Sequence, residues 1–244
     1  MRFLEELQMN ALPSLQTVLY DGWIIRYADG YSNRANSVNP IYKSDEDVYK
    51  KIAVCEEMFR TKGLKPTYKI TPFVNPENLD EILESKGCKI IHITSVQTLD
   101  LIDLYETDTI AGIKHDDLND EWFETYCAFN NLSDGQGKIY RRMLSNLVQK
   151  SFFSSMYFGN EIIACGMAVI ENGYIGLFDI TVREDLRNKG YGRQLLYAIM
   201  NHGKEQGAKK AYLQVMTDNK PACHLYNKLG FKEEYQYYYR VKFE

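Results

Sequence analysis

Residues 180–196 read Ile-Thr-Val-Arg-Glu-Asp-Leu-Arg-Asn-Lys-Gly-Tyr-Gly-Arg-Gln-Leu-Leu. An apolar run ends at Val182, and a polar loop with two glycines and several cations follows it. Beyond the loop, apolar side chains recur at helical spacing at Leu195 and Ile199. The pattern predicts a strand that passes through a short loop directly into a helix.

This loop has the composition of a phosphate site. N–H groups in the first turn of a helix lack intrahelical partners and carry partial positive charge, so a pyrophosphate can accept from them. Gly190 and Gly192 allow close approach of the backbone, and Arg187 and Lys189 add charge. The alternative is that the glycines only shape a tight turn and the cations are solvated. The dinucleotide fingerprint G-x-G-x-x-G is absent, because Leu195 stands at its third glycine position.

Two motifs together indicate a family. Arg187, Gly190 and Gly192 match the Arg/Gln-x-x-Gly-x-Gly/Ala loop of the GNAT superfamily of N-acetyltransferases. Residues 219–231, Asn-Lys-Pro-Ala-Cys-His-Leu-Tyr-Asn-Lys-Leu-Gly-Phe, resemble the family's Asn-x-x-Ala-x-x-x-Tyr-x-x-x-Gly-Phe, and the resemblance covers roughly 107–243. It implies an α/β fold, a mixed sheet flanked by helices that splays open between two parallel strands to admit the pantetheine arm of acetyl-CoA.

The resemblance also implies which residues bind acetyl-CoA. The end of the strand pairs with the pantetheine amides, and the loop and first helical turn bind the pyrophosphate. The predicted coenzyme-binding residues are Ile180, Thr181, Val182, Arg187, Asn188, Lys189, Gly190, Tyr191, Gly192 and Asn219. For Asn219 a second role stays open, because Asn before Pro221 is typical of a helix N-terminus.

Tyr226 and Asp179 are the predicted catalytic residues. Tyr226 occupies the family position whose hydroxyl protonates the leaving thiolate, although its ring could instead be a core residue. Some related enzymes carry a Glu where this chain has Gln214, which cannot accept a proton. Asp179 is the substitute base, because burial between apolar neighbours would raise its pKa. A purely structural hydrogen-bond acceptor is the alternative.

The N-terminal part resembles a degenerate unit of the same family. Residues 83–89 (Leu-Glu-Ser-Lys-Gly-Cys-Lys) correspond in position to 226–232 (Tyr-Asn-Lys-Leu-Gly-Phe-Lys). We therefore predict a tandem arrangement, with a degenerate domain 1–104 and a catalytic domain 105–244. The counterpart of the phosphate loop, residues 40–46, has no glycine and ends in Asp45 and Glu46. Because these carboxylates would repel a pyrophosphate, we expect one coenzyme per chain.

Local patterns place further elements. They predict helices at Phe3–Tyr20, Asp45–Lys62, Glu121–Asn131 and Lys138–Gln149, a strand at Thr107–Ile113, and a hairpin of Trp23–Tyr27 with Tyr31–Val38 across Asp29-Gly30.

The hairpin carries a polar, aromatic and cationic cluster that suits a small polar or carboxylate-bearing acceptor. Its members are Trp23, Arg26, Tyr31, Asn33, Arg34 and Asn36. The alternative is a face that only packs on the other half.

Bulk composition narrows the partners. The chain has 244 residues and a formal net charge of -4, which disfavours nucleic acid. No apolar run reaches the roughly 20 residues of a membrane span, and the N-terminus lacks a signal-peptide pattern, so a cytoplasmic protein without membrane contact is expected. The five separated cysteines and four histidines show no metal-ligand spacing, so no metal is expected.

The predicted function is transfer of an acetyl group from acetyl-CoA to a primary amine of a small molecule or peptide, by a monomer or homodimer. A non-catalytic acyl-CoA-binding sensor and a transferase with another donor are the alternatives.

Overall fold

The computed structural model describes residues 1–104 and 112–243. The elements before the gap are α1 (Arg2–Ala11), β1 (Gln16–Tyr20), β2 (Trp23–Tyr27), β3 (Val38–Asn39), α2 (Val48–Thr61), β4 (Thr67–Ile70), α3 (Leu79–Ser85) and β5 (Lys89–Asp100). Those after it are β6 (Ile113–Asp116), α4 (Asp120–Phe129), α5 (Asp134–Leu144), β7 (Lys150–Phe158), β8 (Glu161–Glu171), β9 (Tyr174–Val182), α6 (Tyr191–Glu205), β10 (Lys210–Met216), α7 (Lys220–Lys228) and β11 (Lys232–Val241).

The described strands form one mixed sheet, which confirms the predicted fold class. Their order is β1-β2-β3-β4-β11-β5-β10-β9-β8-β7-β6. Strand β11, the last in the chain, lies between β4 and β5, while β5 pairs with β10. Each sequence half thus contributes a strand to the other. The division at residue 104 stays a prediction.

The sheet contains two pairs of parallel strands that are each connected by a crossover helix. Strand β3 pairs parallel to β4 across α2, and β9 pairs parallel to β10 across α6. This correspondence agrees with the repeat inferred from residues 83–89 and 226–232, and duplication itself stays a hypothesis.

The predicted N-terminal helix and hairpin were wrong in their bounds. Helix α1 ends at Ala11, because Pro13 lacks an N–H and its ring clashes with a helical backbone. The following residues form β1, which pairs with β2 across Asp21-Gly22. Both turn residues have positive φ, 41° and 78°, as two-residue hairpin turns of type I′ require. Of the predicted partner segment Tyr31–Val38, only Val38 pairs with β2.

Two predicted elements later in the chain differ from the structure at their ends. Helix α5 begins four residues before Lys138, because Ser133 and Gln136 form a capping box, and it ends at Leu144. Of the predicted strand Thr107–Ile113, residues 107–111 lie outside the described part, and β6 begins at Ile113.

Helices cover both faces of the sheet. Helix α6 buries Leu195 and Ile199 against one face, and Trp122 of α4 and Tyr140 of α5 lie in the cluster on the other. Strand β8 serves both faces, because alternate side chains of a strand point in opposite directions: Met167 joins the α4/α5 cluster and Ala168 the α6 cluster.

Strand β9 diverges from β10 after a short parallel contact. The two pair only where Tyr174–Gly176 faces Lys210–Tyr212. On its other side β9 has a bulge where it pairs with β8. Met167 pairs with Phe178 and Cys165 pairs with Thr181, so β9 has one extra residue between these two pairs. A Cβ on Gly166 would lie 2.6 Å from Ile180 Cδ1 and 3.0 Å from Ile199 Cδ1, so a larger residue opposite the bulge would displace these side chains. The predicted splay lies at this divergence.

Candidate active site

A cavity of about 680 Å³ opens where β9 and β10 separate. One part of its wall comes from Asn219 and Tyr226, and another from the loop after β2 with Tyr31 and Arg34. Asp179, at the bulge of β9, lies in the same cavity. The fold therefore brings both predicted catalytic residues into one cavity with part of the predicted acceptor cluster.

The glycine loop ends at the uncapped N-terminus of α6. Gly190 is the N-cap residue with a φ of +87°, and no side chain caps the helix. The bond from Gln194 N to Gly190 O, 3.1 Å, is the first of the helical type, so the N–H groups of Tyr191, Gly192 and Arg193 precede it. A Cβ on Gly190 would meet no atom of the described chain closer than 4.0 Å. Glycine is thus required here by backbone conformation and not by crowding.

The cations beside this helix end differ in their partners. Arg183 pairs with Asp185 and Glu161, at 2.8 and 2.9 Å. Arg187 Nε donates to the carbonyl of Val182 at 3.2 Å, and among residues 1–104 and 112–243 neither Arg187 nor Lys189 forms an ion pair. Both side chains are exposed, so their charges are available to an anion at the helix N-terminus.

The corresponding helix end in the first half already holds a carboxylate. Asp21 accepts from the backbone N–H of Asp45 and Glu46, with shortest distances of 3.1 and 2.9 Å. It also pairs at 3.0 Å with Lys51, whose side chain is fully buried, and these hydrogen bonds hold the pKa of Asp21 well below its usual range. Asp47 caps the helix by accepting from Lys50 N. The chain's own carboxylates thus take the donors that a phosphate would need.

Asp179 lies among tyrosines on the α4/α5 side of the bulge. Its φ is +56°, and its carboxylate accepts from Tyr126 Oη at 3.2 Å and from Tyr140 Oη. Burial raises the pKa of Asp179, while the charge of Arg34 and the two hydroxyl bonds act in the opposite direction. Apart from helical periodicity, no local pattern points to the two tyrosines, because they lie 53 and 39 residues from Asp179 in the chain.

Tyr226 reaches the cavity from α7. Its ring meets Phe231 edge-on with centroids 5.9 Å apart, and burial raises the pKa of its hydroxyl to about 12. Within the described residues this hydroxyl has no hydrogen-bond partner. A protonated, unengaged phenol therefore lines the cavity.

Two amide side chains nearby have defined partners. Asn219 caps α7 by accepting from Ala222 N at 3.3 Å, and it also lines the cavity. Gln214 accepts from Tyr237 Oη at 2.6 Å. Asn219 therefore has the capping role, and its residue also lies in the cavity lining.

The predicted acceptor cluster divides into two groups. Trp23 is fully buried and donates to the carbonyl of Asn75, and Arg26 is buried against backbone carbonyls, including that of Arg34 at 2.8 Å. Asn36 accepts from Ala28 N and Gly30 N and so closes the loop. These three are structural, because they are buried and their polar groups are bonded to the backbone of the chain itself. The cavity-lining members are Tyr31, Asn33 and Arg34.

The splayed mixed sheet and the glycine-bearing helix N-terminus define the GNAT fold, and comparisons agree. The family model described as "Probable histone acetyltransferase Rv0428c C-terminal" matches residues 1–240. The chain belongs to this family of GNAT N-acetyltransferases. A curated relative, the "Uncharacterized N-acetyltransferase YobR" of Bacillus subtilis, is 26% identical over 245 residues, 99% of this chain and 98% of its own length.

Solved structures show the same fold. A GCN5-related N-acetyltransferase from Kribbella flavida superposes with a TM-score of 0.73 at 15% identity, over 99% of this chain and 95% of its own. A tandem GNAT protein from the clavulanic acid biosynthesis pathway, solved without AcCoA, gives 0.61 at 12% identity, over 98% and 87%.

Residues 1–104 and 112–243 contain neither a membrane-spanning helix nor a cluster of metal-binding side chains. None of their helices is both long and apolar enough to cross a membrane. Nor do three His, Cys, Asp or Glu side chains come together there as a metal site.

Proposed function

We propose that this chain transfers an acetyl group from acetyl-CoA to a primary amine of a small molecule or peptide. The observation that carries the proposal is one cavity in which the opening between β9 and β10, Tyr226 and Asp179 meet. The residues present fit the coenzyme. An uncapped helix end with unpaired Arg187 and Lys189 suits a pyrophosphate, and β9 beyond Gly176 has no partner on its β10 side among the described strands.

In this proposal, different residues bind different parts of the coenzyme. Acetyl-CoA, when bound, supplies the activated thioester. The N–H groups of Tyr191 and Gly192, with Asn188, Arg187 and Lys189, hold the pyrophosphate. The backbone of Ile180, Thr181 and Val182 offers hydrogen bonds to pantetheine amides, and the Asn219 amide is a further donor.

Tyr226 acts as the general acid. With its pKa raised to about 12, the phenol is protonated at neutral pH and can donate to a departing thiolate. Asp179 is the proposed base. Its raised pKa makes it a better proton acceptor than an exposed Asp, and the bonds from Tyr126 and Tyr140 fix its carboxylate in the cavity.

Replacing Tyr226 by Phe tests the function and the assignment together. The change removes only the hydroxyl, so the acetyl-CoA dissociation constant should stay near the wild-type value while kcat falls on the order of 10²-fold. Thiol release with a panel of amines gives kcat, and calorimetry gives affinity.

The matched control is Tyr197→Phe, because Tyr197 lies on α6 away from the cavity lining. It should keep both constants. A wild-type protein that binds acetyl-CoA but releases no thiol with any amine would instead be an acyl-CoA sensor. A Tyr226→Phe variant with unchanged kcat would show that the thiolate leaves unassisted.

A further inference from the structure

The loop after β2 holds Arg34 in a fixed position at the cavity. Asn36 bonds back to Ala28 and Gly30, and Ala35 N donates to Ser32 O at 3.0 Å. The carbonyl of Arg34 accepts from the buried guanidinium of Arg26 at 2.8 Å. A loop closed by this many bonds loses little conformational entropy when a ligand binds.

The guanidinium of Arg34 has polar neighbours but no hydrogen-bond or ion-pair partner among the residues that the structure describes. It lines the cavity and is only partly exposed. Within the described residues it makes no hydrogen bond and no ion pair. The carboxylate of Asp179 lies close enough to favour the charged form of Arg34, yet it accepts no hydrogen bond from it.

A second group in the cavity also lacks a partner. Tyr239 is 2% exposed, and its buried hydroxyl forms no hydrogen bond with any described residue. Buried polar groups are normally satisfied. The guanidinium of Arg34, which has no partner among the described residues, is therefore complementary to a ligand that brings acceptor oxygens into the cavity.

We propose that the acceptor is an amine that also carries a carboxylate, and that Arg34 binds this carboxylate. The inference rests on the proposed transferase function. A guanidinium presents paired donors that match a carboxylate in a bidentate geometry. Asp179 provides the opposite charge in the same cavity, so an amino acid can present its ammonium to Asp179 and its carboxylate to Arg34.

The positive charge of Arg34 disfavours acceptors that carry several positive charges. A polyamine would bring further positive charges toward Arg34, and a lysine among basic neighbours would do likewise, so both would be repelled in a partly desolvated cavity. The charge pair therefore favours a zwitterionic small molecule over a polycation.

Equilibrium binding tests this without requiring turnover. With saturating coenzyme A present, calorimetry would compare glycine, β-alanine, 4-aminobutyrate and 6-aminohexanoate with their carboxamides. We expect at least one acid to bind about 10- to 100-fold more tightly than its own amide, as for hydrogen bonds to charged groups. The chain length that binds best reports the spacing between amine and carboxylate.

Three variants test whether Arg34 causes the preference for an acid over its amide. Arg34→Met should abolish this preference. Arg34→Lys should retain part of it, because the positive charge stays while the paired N–H donors of the guanidinium are lost. Arg142→Met is the matched control, since Arg142 is exposed and pairs with Asp29 of the same loop. It removes one positive charge nearby and should leave the preference intact.

The contrary results are distinct. Equal binding of every acid and its amide, tighter binding of spermidine than of every acid, or an Arg34→Met variant that keeps the preference would each overturn the proposal. Thiol release with acetyl-CoA is measured on the same pairs. A carboxylate preference in binding without thiol release would refute the transferase function while leaving Arg34 as the carboxylate-binding residue.

Discussion

At Gly190 the backbone adopts a φ of +87° directly before α6. An L-residue in this region places its Cβ too close to the following carbonyl, at a cost of roughly 1–2 kcal/mol. Gly207, just beyond the other end of the same helix, has a φ of +95° and equally open surroundings. The two glycines therefore differ in location and not in conformational demand.

This pair allows a prediction at the residue scale. Gly190→Ala and Gly207→Ala should each lower the free energy of unfolding by roughly 1–2 kcal/mol. Only Gly190→Ala should weaken acetyl-CoA binding, by at least about tenfold or 1.4 kcal/mol, because it displaces the N–H groups of Tyr191 and Gly192. Urea titration and calorimetry give the two quantities. Equal affinity in both variants would remove the loop from the binding site.

Helix α1 docks on the sheet through a buried ion pair. Glu5, fully buried, pairs at 2.6 Å with Lys69 of β4, which is 5% exposed. Tyr235 Oη of β11 donates to the same carboxylate at 2.7 Å, and Lys69 Nζ lies 3.7 Å from the ring centroid of Tyr237. The network joins α1, β4 and β11, elements from opposite ends of the chain.

Removing one partner of this pair should be costly. Lys69→Met leaves the Glu5 carboxylate buried without a cation, so the free energy of unfolding should fall by about 3 kcal/mol. The double variant Glu5→Leu with Lys69→Met should recover much of that loss, because no buried charge remains. Lys50→Met breaks only the exposed pair with Glu46 and should unfold near the wild-type urea concentration. A single Lys69→Met variant of wild-type stability would contradict this account.

At the scale of the whole molecule, the two crossover helices, α2 and α6, differ at their N-termini. That of α6 is uncapped, whereas Asp47 caps α2 through Lys50 N and Asp21 accepts from Asp45 N and Glu46 N just before that helix. The likeness of the two halves therefore does not extend to the groups that accept from the backbone at these helix ends.

We predict one acetyl-CoA per chain. Calorimetric titration should give one equivalent, and Asp21→Ala should lower stability, because Lys51 loses its carboxylate, without adding a second equivalent, since Asp45 and Glu46 still repel a phosphate. Asp45→Ala is the control for the loss of one exposed carboxylate and should unfold near the wild-type midpoint. Two equivalents in the wild-type protein would refute a self-occupied first half.

Much of the second half could be predicted because its signals are local. The loop from Arg187 to Gly192, the turns between β7, β8 and β9, and the helix at 220–228 each depend on neighbouring residues that set caps, turns and periodicity. The predicted helix Phe3–Tyr20 is too long because Pro13 stops α1, and the predicted hairpin is misplaced because Asp21-Gly22 and Asp29-Gly30 are equally good turn dipeptides.

The amino-acid sequence by itself determined the family, the glycine loop and the position of Tyr226, because these are motifs of fixed short spacing. Tertiary structure alone decided that β11 inserts between β4 and β5, that Tyr126 and Tyr140 bind Asp179, and that Arg34 faces the cavity while Arg26 is buried. Those outcomes depend on contacts between residues far apart in the chain. Strand register and side-chain direction there are set by the whole sheet, and no local pattern encodes them.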